Sequence, residues 1–267
     1  MATETITITG KSVNLSHGVT RYFEAGNGPP VILLHGSGIE QGGADFLRCM
    51  DVLGRELRVL APDFVGWPPS DSFSEMASFP YLVDFIREFQ DALGLASSHV
   101  VGVSMGGWIA GLFAYESPQR VDKVVVGGNP GLHGSPNRRM AQWQPPTDET
   151  VREWVESVTQ VPGFDGATLL AEKLAKMHEP GVADSFARIM RHMADDANRK
   201  RYALDRRLPH VKVPALFLWG QHDNNVEQAA ECQQLTPGSQ VKILEAGHRM
   251  HIEDAALFSN AILEFLR

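Results

Sequence analysis

Gly102-Val-Ser-Met-Gly106 decides the fold, because of what stands on either side of it. His99-Val-Val-Gly102 runs into it as a short apolar stretch, and Gly107-Trp-Ile-Ala-Gly111 leaves it in helical fashion. A G-x-S-x-G stretch between a strand and a helix is a sharp turn that pushes the serine hydroxyl out at the top of a sheet. The glycines leave room for the turn, and the N–H of the residue after the serine then faces the oxygen of a carbonyl under attack. An ordinary serine in a glycine-rich turn is the competing reading, and the strand and helix on either side make it the weaker one.

Working outward, further short apolar runs recur, each bounded by Gly or Pro. They are Val31–Leu34, Arg58–Ala61, Lys123–Val126, Ala215–Trp219 and Gln240–Leu244. Continuous runs of four or five such residues read as strands buried on both faces of a parallel sheet. Helical spacing appears over Pro80–Leu93, Met105–Tyr115 and Ala255–Leu266. Strands alternating with helices predict an α/β fold with a mainly parallel central sheet and helices on both faces. Residues 3–26 read as an antiparallel hairpin at one edge. From Gly131 to Leu208 the strand signal stops and charge density rises. Helices are expected from Thr147, whose hydroxyl suits a cap, and over Leu169–His178 and Val182–Met193. The expected organisation is therefore a core of residues 1–130 and 209–267, with a helical lid of 131–208 inserted late in the sheet. Such a lid would roof the carboxyl edge of the strands, where open α/β sheets bind ligands.

Composition narrows the partners. The 267 residues carry 24 Lys+Arg against 32 Asp+Glu, a net charge of −8. Nucleic acid and anionic membranes need a basic footprint, so neither is expected as a partner. With 43% hydrophobic and 21% charged residues the chain is of ordinary globular type. No apolar run is long enough to span a bilayer, and the N-terminus lacks the pattern of a signal peptide, which makes a cytoplasmic location the expectation. Two cysteines, Cys49 and Cys232, give neither a disulfide framework nor a metal cluster. No dinucleotide fingerprint appears, and no cofactor or metal is expected.

A serine hydroxyl needs a base to become a nucleophile, and the base needs an acid to orient it. Leu216-Phe-Leu-Trp-Gly-Gln-His-Asp223 is a strand ending in a turn that presents Asp223, and Val241-Lys-Ile-Leu-Glu-Ala-Gly-His248 is another that ends at His248. The catalytic candidates are therefore Ser104, Asp223 and His248, in the chain order that accompanies a G-x-S-x-G elbow. His222 and Glu245 are the nearby rivals for base and acid. An oxyanion hole needs a second N–H besides that of Met105. The small-residue loop Gly36-Ser-Gly38 after Val31–Leu34 supplies it through the backbone of Ser37. A phosphate-cradling loop is excluded there, since no Lys-Ser/Thr follows.

These motifs together resemble the α/β-hydrolase superfamily over essentially the whole chain. Glu24-Ala-Gly-Asn-Gly28, Leu34-His-Gly-Ser-Gly38, Ala61-Pro-Asp-Phe-Val-Gly66, Gly102-Val-Ser-Met-Gly-Gly107, Trp219-Gly-Gln-His-Asp223 and Gly247-His248 fall in its order and spacing. Within it the chain is most similar to the meta-cleavage-product hydrolases, which cut C–C bonds in dienoic ring-fission products. It departs from them at three substrate-handling positions. The residue before the nucleophile is Val103 rather than Asn, the residue after the histidine is Arg249 rather than Trp, and the lid arginine aligns with Lys173. Val offers none of the donors of Asn, and Lys is a point charge rather than a planar fork. The triad and oxyanion hole suffice for esters. The expectation is therefore a serine hydrolase of small carboxylic esters or lactones acting through an acyl-enzyme, with C–C hydrolysis of 2-hydroxy-6-oxohexa-2,4-dienoate-type products as the alternative. A non-catalytic receptor on the same fold is the reading from another class. The substrate is expected to be a small ester, lactone or diketone in a pocket of Gly36, Gly38, Val103, Trp143, Lys173 and Arg249, with a homodimer allowed.

Overall fold

In the computed structural model, residues 6–71, 77–128, 131–134, 136–159 and 163–267 are described. Residues 3–5 of the expected hairpin and the core–lid boundary at 130 lie outside them. Eight strands form one sheet: β1 (Thr9–Leu15), β2 (Gly18–Ala25), β3 (Pro30–Leu34), β4 (Arg58–Pro62), β5 (Ser98–Val103), β6 (Val121–Gly127), β7 (Ala215–Gly220) and β8 (Gln240–Leu244). Their order across the sheet is β1-β2-β4-β3-β5-β6-β7-β8. β1 pairs antiparallel with β2 and β2 with β4, while all other neighbours are parallel. The edge hairpin and the six apolar runs of the sequence are thus all strands.

The runs are continuous because successive residues bury opposite faces. In β3, Ile32 and Leu34 join the core under one face, and Val31 and Leu33 the core under the other. On the first face pack α2 (Phe79–Ala92) and α3 (Met105–Glu116); on the second, α1 (Leu47–Leu53) and, at the chain's end, α11 (Ala255–Leu266). Each fully buried apolar side chain of this kind contributes about 1.5–3 kcal/mol. In α2, Ser78 accepts from the Tyr81 N–H as the cap, Pro80 stands in the first turn, and Leu82, Phe85, Ile86 and Phe89 face inward.

Between β6 and β7 the described residues hold helices and no strand. They are α4 (Arg138–Ala141), α5 (Asp148–Val158), α6 (Gly166–Met177), α7 (Val182–Ala194) and α8 (Asp196–Tyr202). The Thr147 hydroxyl accepts from the Thr150 N–H and caps α5, as its sequence suggests. Helix α6 is tied to the sheet side by Glu172 to Arg21 and Lys176 to Asp71, each 2.9 Å. After β7 come α9 (Gln228–Leu235), then β8 and α10 (Met250–Glu253). Among the described residues no helix is long and apolar enough to cross a membrane.

Candidate active site

Ser104 is the residue between β5 and α3, at φ 58 and ψ −121. A Cβ on Gly102 would collide with the Gly106 carbonyl, and one on Gly106 with the Leu34 carbonyl. Both glycines of the motif are therefore required by close backbone approach. The Ser104 N–H donates to Gly127 O at 2.8 Å, which fixes the turn against the end of β6. Met105 opens α3, so its N–H points out of a helix N-terminus, where partial positive charge collects.

Asp223 follows β7 and His248 follows β8, and the two turns bring them together. Asp223 Oδ2 lies 2.7 Å from His248 Nδ1, with the Asp side chain 3% exposed and the His side chain 43% exposed. Asp223 Oδ1 also accepts from the Asn225 N–H. Behind the pair is Gly128, at φ +76, where a Cβ would stand 3.2 Å from His248 Cε1 and 3.6 Å from Asp223 Oδ2. The loop carrying His248 is held by Glu253, whose carboxylate accepts from Gly247 N at 2.6 Å and Arg249 N at 3.1 Å. Neither Gly128 nor Glu253 is marked by the sequence reading, although Gly127-Gly128 directly after a strand is a visible signal. The rivals pair with each other, His222 Nε2 to Glu245 Oε1 at 3.4 Å, at 63% and 75% exposure. Neither lines the cavity over Ser104.

Ser37 sits in the loop after β3, whose shape is set from several sides. Trp67 Nε1 donates to Gly38 O at 2.9 Å, Gln41 N donates to the same oxygen at 3.0 Å, and Gly38 N donates to Gln41 Oε1 at 3.2 Å. Ser37, Met105, Ser104 and His248 all face one cavity of about 730 Å³. That volume suits a small organic ligand.

An alpha/beta hydrolase fold family model matches residues 29–255. A 2-hydroxy-6-oxononadienedioate/2-hydroxy-6-oxononatrienedioate hydrolase of Burkholderia vietnamiensis is 30% identical over 97% of this chain and 96% of its own length. The chain belongs to the alpha/beta hydrolase fold family. It is a hydrolase. Among solved structures, a meta-cleavage product hydrolase superposes with TM-score 0.76 at 26% identity, covering 96% of this chain and 97% of that one. The 2-hydroxy-6-oxo-6-phenylhexa-2,4-dienoate hydrolase from Rhodococcus sp. strain RHA1 gives TM-score 0.80 at 22% identity, covering 98% of this chain and all of that one.

In this alpha/beta hydrolase, five of the six expected pocket residues line the cavity: Gly36, Gly38, Val103, Trp143 and Arg249. Trp143 packs on Phe186 of α7, with ring centroids 4.8 Å apart. Arg249 has Nε and Nη2 shielded and without a hydrogen-bond partner. Arg139 and Arg199 also line the cavity, with Glu40 as the one carboxylate among the described lining residues.

Lys173 is the exception, and the structure corrects the expectation. It is fully buried and lies outside the cavity lining. Its Nζ donates to Pro68 O at 2.7 Å and Gln41 O at 3.0 Å and lies 5.1 Å from the centre of the Trp154 ring. Trp154 is part of this buried cluster and not of the cavity lining. Asp63 is buried as well, accepting from the Gly43 N–H at 2.8 Å. Burial pushes the Asp63 carboxyl up to about 7 and the Lys173 amine down. Among the described residues no three His, Cys, Asp or Glu side chains are grouped as a metal site.

His35 buttresses the same loop as a neutral ring. Its Nε2 accepts from the Phe64 N–H at 3.0 Å, so Nδ1 carries the proton and donates to Gly36 O at 2.8 Å. Burial holds its pKa down, to about 3. A histidine kept neutral in the fold but free to protonate when unfolded costs stability as pH falls from about 6.5 towards 3. A His35→Gln variant is expected to be less stable than the parent at pH 7. The gap should narrow by about 2 kcal/mol between pH 6.5 and 4.5, because only the parent carries this penalty. Urea unfolding of both proteins at the two pH values checks it, and a constant gap would count against a neutral His35.

Proposed function

We propose that this alpha/beta hydrolase cleaves a C–C bond in 2-hydroxy-6-oxodienoate ring-fission products. Ser104 would act as nucleophile, His248 as base, Asp223 as its orienting acid, and the N–H groups of Ser37 and Met105 as the oxyanion hole. The observation that carries the reading is the charge of the cavity. Among the described residues, Arg139, Arg199 and Arg249 line it against Glu40 alone, in a chain whose net charge is −8. A dienoate is an anion, and a cationic cavity draws it in and holds it. Neutral esters and lactones have no use for such a lining. The relative from Burkholderia vietnamiensis, named for this class of reaction, supports the same choice over nearly the full length.

The chemistry follows from the leaving group. Carbon leaves as an anion only if a conjugated carbonyl takes up the electron pair, so the dienol must first ketonise to place a C=O at carbon 2, conjugated through the C=C to the departing carbon. Ser104 then adds to the distant carbonyl as His248 accepts its proton, and the oxyanion rests on the two N–H groups. When the tetrahedral centre collapses, the C–C bond breaks, its electron pair enters the dienolate, and His248 returns the proton. Water repeats the addition on the acyl-enzyme and releases the second carboxylic acid.

Ester hydrolysis is the second reading, and Val103 favours it. Its side chain lines the cavity next to Ser104 and offers no hydrogen bond to a dienolate oxygen. The deciding measurement is kcat/KM for a phenyl dienoic ring-fission product against a nitrophenyl ester of similar size. At least a tenfold preference for the dienoate is expected, and faster ester turnover would promote the second reading. Val103→Asn is expected to raise the ratio of C–C to ester cleavage about tenfold, the scale of one hydrogen bond to a charged group.

A further inference from the structure

Lys173 is a fully buried cation that contacts neither Ser104 nor the cavity, yet its two acceptors are informative. Pro68 O belongs to the loop after β4, and Gln41 O to the loop after β3. Gln41 is also the residue that grips Gly38 from both sides, donating its N–H to Gly38 O and accepting the Gly38 N–H on Oε1. Gly38 is covalently next to Ser37. A chain of contacts therefore runs from Nζ on α6, through Gln41, to the peptide beside the proposed oxyanion donor.

The packing leaves little freedom along that chain. Gly42 lies in the cleft between the acid and the amine: a Cβ there would collide with Asp63 Oδ1 and stand 3.4 Å from Lys173 Nζ. Asp63 in turn accepts the Gly43 N–H, so the loop after β3 is gripped at 41 by the cation and at 43 by the carboxylate. The third face of the ammonium is met by the Trp154 ring of α5. Carbonyl oxygens and an aromatic face leave the charge where it is, with Asp63 as its counter-charge nearby.

We propose that Lys173 is a positioning residue for catalysis, reaching from α6 to lock the loop after β3 so that the Ser37 N–H stays aimed at the oxyanion. This role rests on the reading of Ser104 as nucleophile given above. It differs from a merely structural anchor in one respect. An anchor supports ground-state and tetrahedral ligands alike, whereas a residue that aims an oxyanion donor supports the tetrahedral state selectively.

The test uses an alkyl boronic acid, which adds to a serine hydroxyl and places a tetrahedral oxygen in the hole, and a small carboxylate product as the ground-state probe. The double variant is Lys173→Met with Asp63→Asn, which leaves no lone carboxylate buried; Lys173→Gln on the same Asp63→Asn background keeps an NH₂ group and should fall between the double variant and the parent. In the double variant, kcat and boronate affinity are expected to fall at least tenfold, while KM and product affinity change less than twofold. Equal losses for boronate and product, or no loss for either, would overturn the positioning role. If the parent protein itself fails to bind the boronate, the reading of Ser104 falls, and this role with it.

Discussion

Replacing Ser104 with alanine is expected to lower kcat/KM by about 10³-fold or more, with the thermal unfolding midpoint unchanged. The size follows from the loss of the atom proposed to form the covalent bond, which would leave only the proposed oxyanion donors and binding to assist water. About 4 kcal/mol of barrier corresponds to that factor. The fold should be indifferent, because alanine keeps the Cβ that the φ 58 turn already accommodates. The contacts that fix the turn, Ser104 N to Gly127 O and Trp108 N to Ser104 O, are made by the backbone. Labelling by a fluorophosphonate should vanish in parallel. Parental turnover in a homogeneous preparation of the variant would remove Ser104 from the mechanism.

Asp223→Asn is expected to cost about 10³–10⁴-fold in kcat, although it changes a single atom. The carboxylate lies 2.7 Å from His248 Nδ1 and accepts the proton on that nitrogen, leaving Nε2 as the free base. An amide in its place can turn its NH₂ towards Nδ1, which favours the other tautomer and puts a proton where a lone pair is needed. The imidazolium proposed to form during turnover also loses its counter-charge, the buried Asp223 carboxylate. Glu245→Gln is the control, since that carboxylate is exposed and paired with His222. Its rate should stay within twofold of the parent. A loss at Glu245 with none at Asp223 would mean that the acid has been misassigned.

The sheet was legible because strands buried on both faces leave an unmistakable trace: four or five apolar residues with no polar alternate, ended by Gly or Pro. The candidate residues 104, 223 and 248 were legible for a related reason. Each stands just past such a run, so the strand fixes its place without help from distant packing. Lys173 shows where that logic stops. A lysine on an otherwise mixed helix has the same letters whether it faces a cavity, solvent or the underside of a loop, and burial of an unpaired-looking cation runs against composition-based expectation. Its counter-charge, Asp63, is far away in sequence on another loop, so neither residue announces the other. Gly128 and Glu253 were missed because they act on backbone and ring edges, contacts that carry no spacing rule. Helices α1, α8 and α9 lack a long apolar stripe of their own and exist because the rest of the molecule is there to pack on.

The pairing of β6 with β7 has a consequence for how such genes diversify. The two strands are hydrogen-bonded neighbours, Val124 opposite Ala215 through Gly127 opposite Leu218, although residues 128–214 separate them in the chain. The excursion leaves the sheet and re-enters it one strand over, so its length and content can change without moving any strand from its partner. Recombination can therefore trade the excursion as a cassette, leaving the loops after β3, β5, β7 and β8 in their inherited places. The cassette is not silent towards its host, however. Whatever replaces it must bring a cation to the place under Gly42 or be accompanied by a change at position 63, so ancestry at these two positions should be linked even where the rest of the cassette has drifted.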